Sequence, residues 1–125
     1  MKKIVVETKR TVQYQCEVCK TLYKTPAQAK KCEARPVEKK KFRVGQLVRA
    51  LEVRVCHNRG EYFAIGKVIK IRRPELPDYE YECKWLGGEK TRLNSHVRLY
   101  EIEFICPRCG KIKDAIYYAP ELIAR

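Results

Sequence analysis

The segment YQCEVCK (residues 14–20) returns near the other end of the chain as FICPRCGK (residues 104–111). Each segment has an aromatic residue, a spacer and then Cys-x-x-Cys followed closely by lysine. This pattern is typical of a zinc knuckle, in which a strand delivers the first thiolate and a tight turn closes the second thiolate onto the same ion. Two knuckles in one short chain predict a structural Zn²⁺. The predicted ligands from the knuckles are Cys16, Cys19, Cys106 and Cys109.

Length and charge narrow the class of protein. A chain of 125 residues suits one compact domain, or a small domain with a metal-clipped appendage. The formal net charge of +13 is large for this size and predicts a polyanionic partner. Nucleic acid, either DNA or RNA, is the favoured partner, because each neutralised phosphate releases condensed counterions. The alternative is an acidic protein partner.

The amino-terminal residues and the cysteines indicate the compartment. Met1, Lys2 and Lys3 are followed by only three apolar residues before charges resume, and no apolar run has the length of a membrane span. We therefore expect a cytoplasmic protein that has no membrane partner. Seven cysteines are an odd number, so disulfide pairing alone would leave one thiol over. In a reducing compartment Cys-x-x-Cys indicates metal binding or redox chemistry.

Residues 1–35 are predicted to form a finger-like ββα segment. A strand with alternating apolar residues leads into the first knuckle. After the knuckle, Thr25 is a helix cap, Pro26 fits the first turn and Gln28 completes a capping box. The predicted helix carries Cys32 and ends near residues 35–36, because a residue that precedes proline resists helical geometry.

This segment resembles one unit of the Cys2His2 zinc-finger family. Twelve residues separate Cys19 from Cys32, which is the spacing that brings the third ligand of a finger to the inner face of its helix. Cys32 stands where the family has histidine, and no ligand follows at the usual distance, so the fourth ligand must come from elsewhere. The resemblance also implies that Thr25, Gln28 and Lys31 occupy the positions from which finger helices touch base edges.

Residues 36–41 read as a basic linker, and residues 42–100 read as short strands separated by turns. The strand region resembles SH3-like barrels of the Tudor, chromo-barrel and KOW kind, on the motifs VGQLV (44–48), GKVI (66–69) and YEYECKW (79–85). Residues 101–125 form a zinc-knuckle tail. The expected fold class is α+β and mostly β: a small SH3-like barrel with a zinc-finger or zinc-ribbon-like module that is built from both termini.

The alternation of apolar residues also predicts which side chains share one face of the strands. Phe63, Ile65, Ile69 and Ile71 are predicted to share one face, and Gly66 marks a bend in a barrel strand. The apolar parity changes near residues 100–101, which indicates a bulge or a new strand. Aromatic side chains that could stack on bases or cage a cation, among them Tyr62 and Tyr100 on the barrel, are each more typical of strand packing.

Three arrangements of the metal ligands are open. In the first, the two knuckles share one four-thiolate site. In the second, Cys16, Cys19 and Cys32 take one ligand from the carboxy-terminal pair. In the third there are two metals, whose sets are completed from Cys56, His57, Cys83 or His96. We favour a shared site, because a structural zinc wants four ligands and each knuckle supplies two. His57 and His96 are expected to be solvated, and Cys83 to be a buried small hydrophobe.

The function predicted from these observations is non-enzymatic, zinc-dependent binding of nucleic acid, with transcription regulation as its setting. The alternative is a protein-interaction adapter that uses the barrel. No catalytic residue and no small-molecule substrate are predicted, because the sequence has no nucleophile–base pair and no glycine-rich phosphate loop, and its Cys-x-x-Cys motifs lack the βαβ setting of a thiol oxidoreductase. The residues predicted to contact phosphates or bases are Thr25, Gln28, Lys30, Lys31, Arg35, Lys39, Lys40, Lys41, Arg43, Arg72 and Arg73.

Overall fold

The computed structural model describes residues 1–6, 11–57, 59–78 and 95–125. The chain divides into two compact units, each made of two separate segments. The first unit comprises Met1–Glu38 and Arg73–Val97, and the second comprises Lys39–Arg72 and Arg98–Arg125. This grouping differs from the predicted division at residues 35, 41 and 100, because the chain leaves the second unit and later returns to it. The chain is mostly β, as predicted.

The described part of the first unit contains a small antiparallel sheet and one helix. The sheet consists of β1 (Lys2–Val6), β2 (Thr11–Gln15) and β3 (Leu22–Tyr23), in the order β1-β2-β3. The helix α1 (Pro26–Glu33) follows β3 directly. Strand, knuckle, strand and helix therefore occur in the order that the finger-like pattern predicts.

Local sequence signals account for the start of α1. The Thr25 hydroxyl accepts a hydrogen bond from the Gln28 backbone N–H at 3.2 Å, and Pro26 occupies the first turn. Ala29 and Cys32, three residues apart, are the buried residues of the helix. The predicted cap and helix are confirmed. Among the described residues, no helix has the length and apolar character that crossing a membrane requires.

The second unit is built on a five-stranded antiparallel sheet with the order β7-β6-β5-β4-β8. A 3₁₀ turn, Ala119–Glu121, separates the last two strands. The strands are β4 (Leu47–Cys56), β5 (Gly60–Ile71), β6 (Leu99–Ile105), β7 (Ile112–Tyr118) and β8 (Leu122–Ala124).

This sheet is open, so the prediction of a closed SH3-like barrel over residues 42–100 is wrong. Three of the five strands, β6, β7 and β8, lie wholly or largely beyond residue 98, and the predicted tail is thus part of the sheet. Within the described residues β7 pairs only with β6, and the three-residue β8 pairs only with β4. The edges therefore do not meet. The strand predicted at residues 79–85, the turn at 87–88 and Leu93 lie outside the described residues.

One face of the open sheet forms the core of the second unit. Val48, Tyr62, Tyr100, Ile102 and Phe104 are all buried there. The rings of Tyr62 and Phe104 lie 6.2 Å apart, and Tyr100 makes an edge contact with Phe42 at 5.3 Å. Because Tyr62 and Tyr100 are buried, neither is available as a stacking platform, and the strand-packing alternative describes both.

The other face, which we call the outer face, carries the apolar residues that the sequence pattern selected. Val53 lies opposite Phe63, and Ile65 and Ile123 lie opposite Arg49, and all four apolar side chains are exposed. Ile71 does not share this face. A register shift between Val68 and Lys70 turns Ile71 toward the core, so the prediction that Ile71 shares the face of Phe63 is wrong.

Gly66 has a different role from the predicted bend. It pairs with Phe104 across β5 and β6, and a Cβ at this position would collide with the backbone carbonyl oxygen of Glu103 and come within 2.9 Å of the Phe104 Cβ. Glycine is needed here because the two backbones approach too closely for any side chain.

Candidate metal centres

The first knuckle turns the chain between β2 and β3. The Cys16 N–H donates to the Thr21 carbonyl at 3.0 Å, and the Lys20 N–H donates to the Cys16 carbonyl at 2.8 Å. These two hydrogen bonds close the turn, and the turn places the Cys16 and Cys19 side chains in the same cluster. Lys20 has a φ of 66°, the left-handed conformation that favours glycine.

The second knuckle, between β6 and β7, repeats this geometry residue for residue. The Cys106 N–H donates to the Lys111 carbonyl at 2.9 Å, and the Gly110 N–H donates to the Cys106 carbonyl at 2.8 Å. Gly110 has a φ of 74° at the position that Lys20 occupies in the first knuckle. The two motifs that are alike in sequence are therefore alike in backbone structure.

The first cluster of ligand atoms belongs to the first unit. It consists of three cysteines and one histidine, all buried, whose sulfur and nitrogen atoms lie within 4.8 Å of one another. The members are Cys16, Cys19, Cys32 and His96. Cys16 follows β2, Cys19 lies in the knuckle, and Cys32 lies in the last turn of α1.

His96 reaches this cluster through a short parallel bridge. It pairs with Val37, just after α1; its N–H donates to the Pro36 carbonyl, and its carbonyl accepts from the Glu38 N–H, both at 2.8 Å. The side chain is 0 % exposed, so the prediction that His96 is solvated is wrong. Sequence parity failed because His96 lies in an isolated bridge, where alternation along a strand does not apply.

The spacing of the four atoms fits a tetrahedral zinc site. His96 Nε2 lies 3.4 Å from Cys32 Sγ and 3.9 Å from Cys16 Sγ, and Cys19 Sγ lies 3.5 Å from Cys32 Sγ. Zn–S bonds of about 2.3 Å and Zn–N bonds of about 2.0 Å give ligand–ligand edges of about 3.5–3.8 Å. The sulfurs are too far apart for a disulfide, which needs about 2.05 Å. Three sulfurs and one imidazole are also a ligand set that structural zinc uses.

The pKa shifts in this cluster differ in direction. Burial raises the pKa of Cys19, but hydrogen bonds with Thr21 and with the neighbouring thiols outweigh it and lower the net pKa. Burial, and then the neighbouring thiols Cys16 and Cys19, raise the pKa of Cys32 to about 12, although Tyr23 opposes the shift. Burial also lowers the pKa of His96, which keeps the imidazole in the neutral form that binds metal. A divalent cation would reverse the penalty on the thiolates, because it supplies the opposite charge at their centre.

A second cluster lies in the second unit and consists of Cys56, Cys106 and Cys109, whose sulfurs are within 4.8 Å of one another. Cys56 ends β4 and is 5 % exposed, and Cys106 is fully buried. The knuckle is held against the β4–β5 turn by Arg108, whose Nε and Nη2 both donate to the Glu61 carbonyl, at 3.1 and 3.0 Å. This cluster could hold a metal ion through three thiolates.

The thiols of the second cluster differ in their ionisation. Burial raises the pKa of Cys106, but hydrogen bonds from the backbone N–H groups of Cys109 and Arg108 outweigh it, and the net pKa is lowered to about 6. Burial and the neighbouring thiols Cys106 and Cys109 raise the pKa of Cys56. One thiolate is thus stabilised by the knuckle backbone before any metal binds.

The ligand grouping differs from the favoured shared site. Among the described residues, each knuckle forms a cluster with residues of its own unit, which differs from the predicted module that joins both termini through one zinc. Of the three open arrangements, the two-metal arrangement matches the geometry, with His96 in one set and Cys56 in the other. His57 is exposed in the turn after Cys56, as expected, and Cys83 lies outside the described residues.

The residues predicted to contact nucleic acid from the helix are mostly on its surface. Gln28, Lys30 and Lys31 are exposed, and Arg35 is half-buried. Thr25 is exposed too, but its hydroxyl accepts the capping hydrogen bond from Gln28. The Thr25 hydroxyl oxygen is therefore engaged in capping the helix, which argues against the predicted contact between Thr25 and a base.

The remaining predicted contacts differ in their exposure and in their partners, and Lys41 Nζ lies 5.3 Å from the centre of the Phe42 ring. Lys39, Lys40, Lys41, Arg43 and Arg73 are exposed. Arg72 is half-buried and its Nε donates to Glu101 Oε1 at 3.0 Å in an ion pair. A phosphate at Arg72 would therefore have to compete with the Glu101 carboxylate for the guanidinium.

Comparisons with known proteins add no family to this description. No protein-family model matches the chain, no curated protein matches its sequence, and no solved structure matches its fold.

Proposed function

We propose that the protein is a non-enzymatic, zinc-containing nucleic-acid-binding protein, and that it acts in the regulation of transcription. The observation that carries the proposal is the exposure of its cations in a chain of net charge +13. They include Lys30 and Lys31 on α1 and the run Lys39, Lys40, Lys41. Exposed lysines are suited to contact the phosphates of a nucleic acid, and each such contact releases a cation that was condensed on the nucleic acid.

The two clusters have a structural role in this proposal. Their ligand atoms are largely buried, and the first has the four ligands of a closed structural site. Zinc would tie β2, α1 and the segment around His96 together in the first unit, and β4 to the second knuckle in the second unit. The metal thus holds the basic surfaces in place and supplies no chemistry of its own.

The experiment is fluorescence anisotropy with labelled single- and double-stranded DNA and RNA, using zinc-loaded protein at several salt concentrations. We expect binding whose logarithmic affinity falls steeply with the logarithm of salt concentration. Absence of binding even near 50 mM salt, with the zinc sites filled, would overturn the proposal. If the affinity for nucleic acid stayed unchanged after complete removal of zinc, the metal would have no part in the proposed function.

A second candidate function, a protein-interaction adapter, is favoured by the outer face of the sheet. Ile105 and Ile112, which pair across β6 and β7, are 63 % and 71 % exposed, and Phe63 is 41 % exposed. Apolar surfaces that extend across several strands are typical of protein-binding sites. The net charge of +13 favours a partner with an apolar centre and acidic surroundings.

The two candidates separate in one assay. An adapter would retain an acidic partner after nuclease treatment and lose it when Ile105 and Ile112 are both replaced by serine. Nucleic-acid binding would survive that double substitution, because it changes no charge. Loss of every interaction on nuclease treatment would exclude the adapter.

A further inference from the structure

A basic groove of about 840 Å³ lies in the second unit, where the chain leads into β4. Its lining includes four cationic side chains and exposed apolar ones, and none of the described side chains that line it is acidic. The residues that define it here are Lys40, Lys41, Arg43, Val44, Leu47 and Arg125.

The walls of the basic groove are anchored to the sheet. The Lys41 N–H donates to the Tyr100 hydroxyl at 3.0 Å, and the Gly45 N–H donates to the Val68 carbonyl at 2.7 Å. Arg125, which also lines the groove, donates its N–H to the Leu47 carbonyl at 3.0 Å. Because these bonds hold the backbone before any ligand arrives, binding would cost little ordering of the chain.

The side chains of the basic groove divide into two kinds. Lys40, Arg43 and Arg125 are exposed and can reach anions, whereas Lys41 Nζ is partly engaged, 5.3 Å from the centre of the Phe42 ring. Val44 is 61 % exposed and Leu47 is 47 % exposed. Grooves that bind single strands combine cations along the phosphate backbone with side chains that contact the bases, usually aromatic ones. In this groove the exposed apolar side chains of Val44 and Leu47 occupy the place of the aromatic residues.

We infer that the basic groove holds a short stretch of single-stranded nucleic acid, with Lys40, Arg43 and Arg125 at its phosphates and Val44 and Leu47 against its sugars and bases. The inference rests on the proposed function and adds the strand type and the place of binding. The groove volume of about 840 Å³ lies within the range of about 300–1,000 Å³ typical of small-ligand sites, so a few nucleotides of one strand fit within it.

The test compares two charge-matched double variants with the wild type. In the groove variant Lys40 and Arg43 are both replaced by glutamine. In the control variant Arg59 and Lys111, which are exposed near the far end of β4, are replaced by glutamine. The probes are labelled oligothymidylate, oligouridylate and a DNA duplex. We expect the groove variant to bind single strands about tenfold more weakly and to lose about 1.4 from its logarithmic salt slope, and the control to change less than about twofold.

The apolar side of the groove has its own test. Val44→Ser should weaken binding of oligothymidylate without changing the salt slope, and should leave binding of inorganic polyphosphate unchanged. Equal weakening by the groove and control variants, or equal affinity of the wild type for single strands and duplex, would overturn the inference while leaving the proposed function intact. If the wild type binds no nucleic acid, the proposed function itself fails.

Discussion

His96 Nε2 lies 3.4 Å from Cys32 Sγ, although the two residues are 64 positions apart in the chain. Cys32 ends a finger-like helix that lacks a local fourth ligand, and His96 supplies the missing nitrogen through the bridge to Val37. The first cluster therefore closes a loop of the chain as well as a knuckle. A metal at this position would stabilise contacts between segments that are distant in sequence.

The first prediction concerns metal content. Protein purified without chelator should carry close to two zinc ions per chain, and His96→Gln and Cys106→Ser should each lose one, because each removes a ligand from a different cluster. Elemental analysis measures the stoichiometry. His57→Gln is the matched control, since His57 is exposed and outside both clusters, and it should keep both ions. Wild-type protein with less than about 0.2 zinc per chain would contradict the metal sites.

The second prediction concerns backbone strain at Lys20 and Gly110, which occupy the same left-handed position in the two knuckles. Lys20→Gly should raise the free energy of unfolding by about 0.5–1 kcal/mol, because glycine adopts a φ of 66° without steric cost. Gly110→Ala should lower it by about 1–2 kcal/mol, since its φ is 74°. Urea unfolding of the zinc-loaded proteins gives both values. The same sign for both substitutions would show that the two turns differ.

Gly66 provides a test of the sheet. Gly66→Ala should destabilise the second unit by about 3 kcal/mol or more, because the added methyl meets the Glu103 carbonyl and the Phe104 side chain. Gly45→Ala is the comparison: Gly45 has a φ of 90° but open space around its Cβ position, so the cost should be limited to backbone strain of about 1–2 kcal/mol. Thermal unfolding of both variants measures the difference. Equal losses would argue against the close approach of β5 and β6.

The fourth prediction is a pH dependence of the metal-free protein. Although burial raises the pKa of Cys106, the knuckle N–H groups lower it to about 6 from its ordinary value of 9.0. The folded state therefore binds fewer protons than the unfolded state between these values, and its stability should fall as the pH falls from about 9 through about 6. The pKa of Cys56 is raised, so that thiol stays protonated over this window.

Urea unfolding of metal-free protein at several pH values between about 6 and 9 measures this effect. Cys106→Ser removes the titrating group, so the decline should be smaller in this variant whatever its absolute stability. A decline of the same size in both proteins would assign the pH dependence to another group.

Part of this structure follows from short segments of sequence. The Cys-x-x-Cys turns, and the helix that begins after Thr25, depend on hydrogen bonds between residues at most five positions apart. Such contacts are formed by local chemistry, so a sequence pattern can predict them. The three cysteines of the first cluster belong to the same category, because one strand, one turn and one helix bring them together.

The two knuckles, the capped helix, the β-rich character and the positive charge could therefore all be predicted from the order of the amino acids. Which ligands complete each cluster depends on the tertiary structure, because His96 arrives through its bridge to Val37, and the β4–β5 hairpin that carries Cys56 is brought to the second knuckle by the pairing of β5 with β6. The tertiary structure also decided which face of the sheet is buried. The apolar alternation of Val53 with Phe63 and Ile65 marks a face, but the core formed on the side of Tyr62 and Val68, where the side chains of β4, β5 and β6 converge.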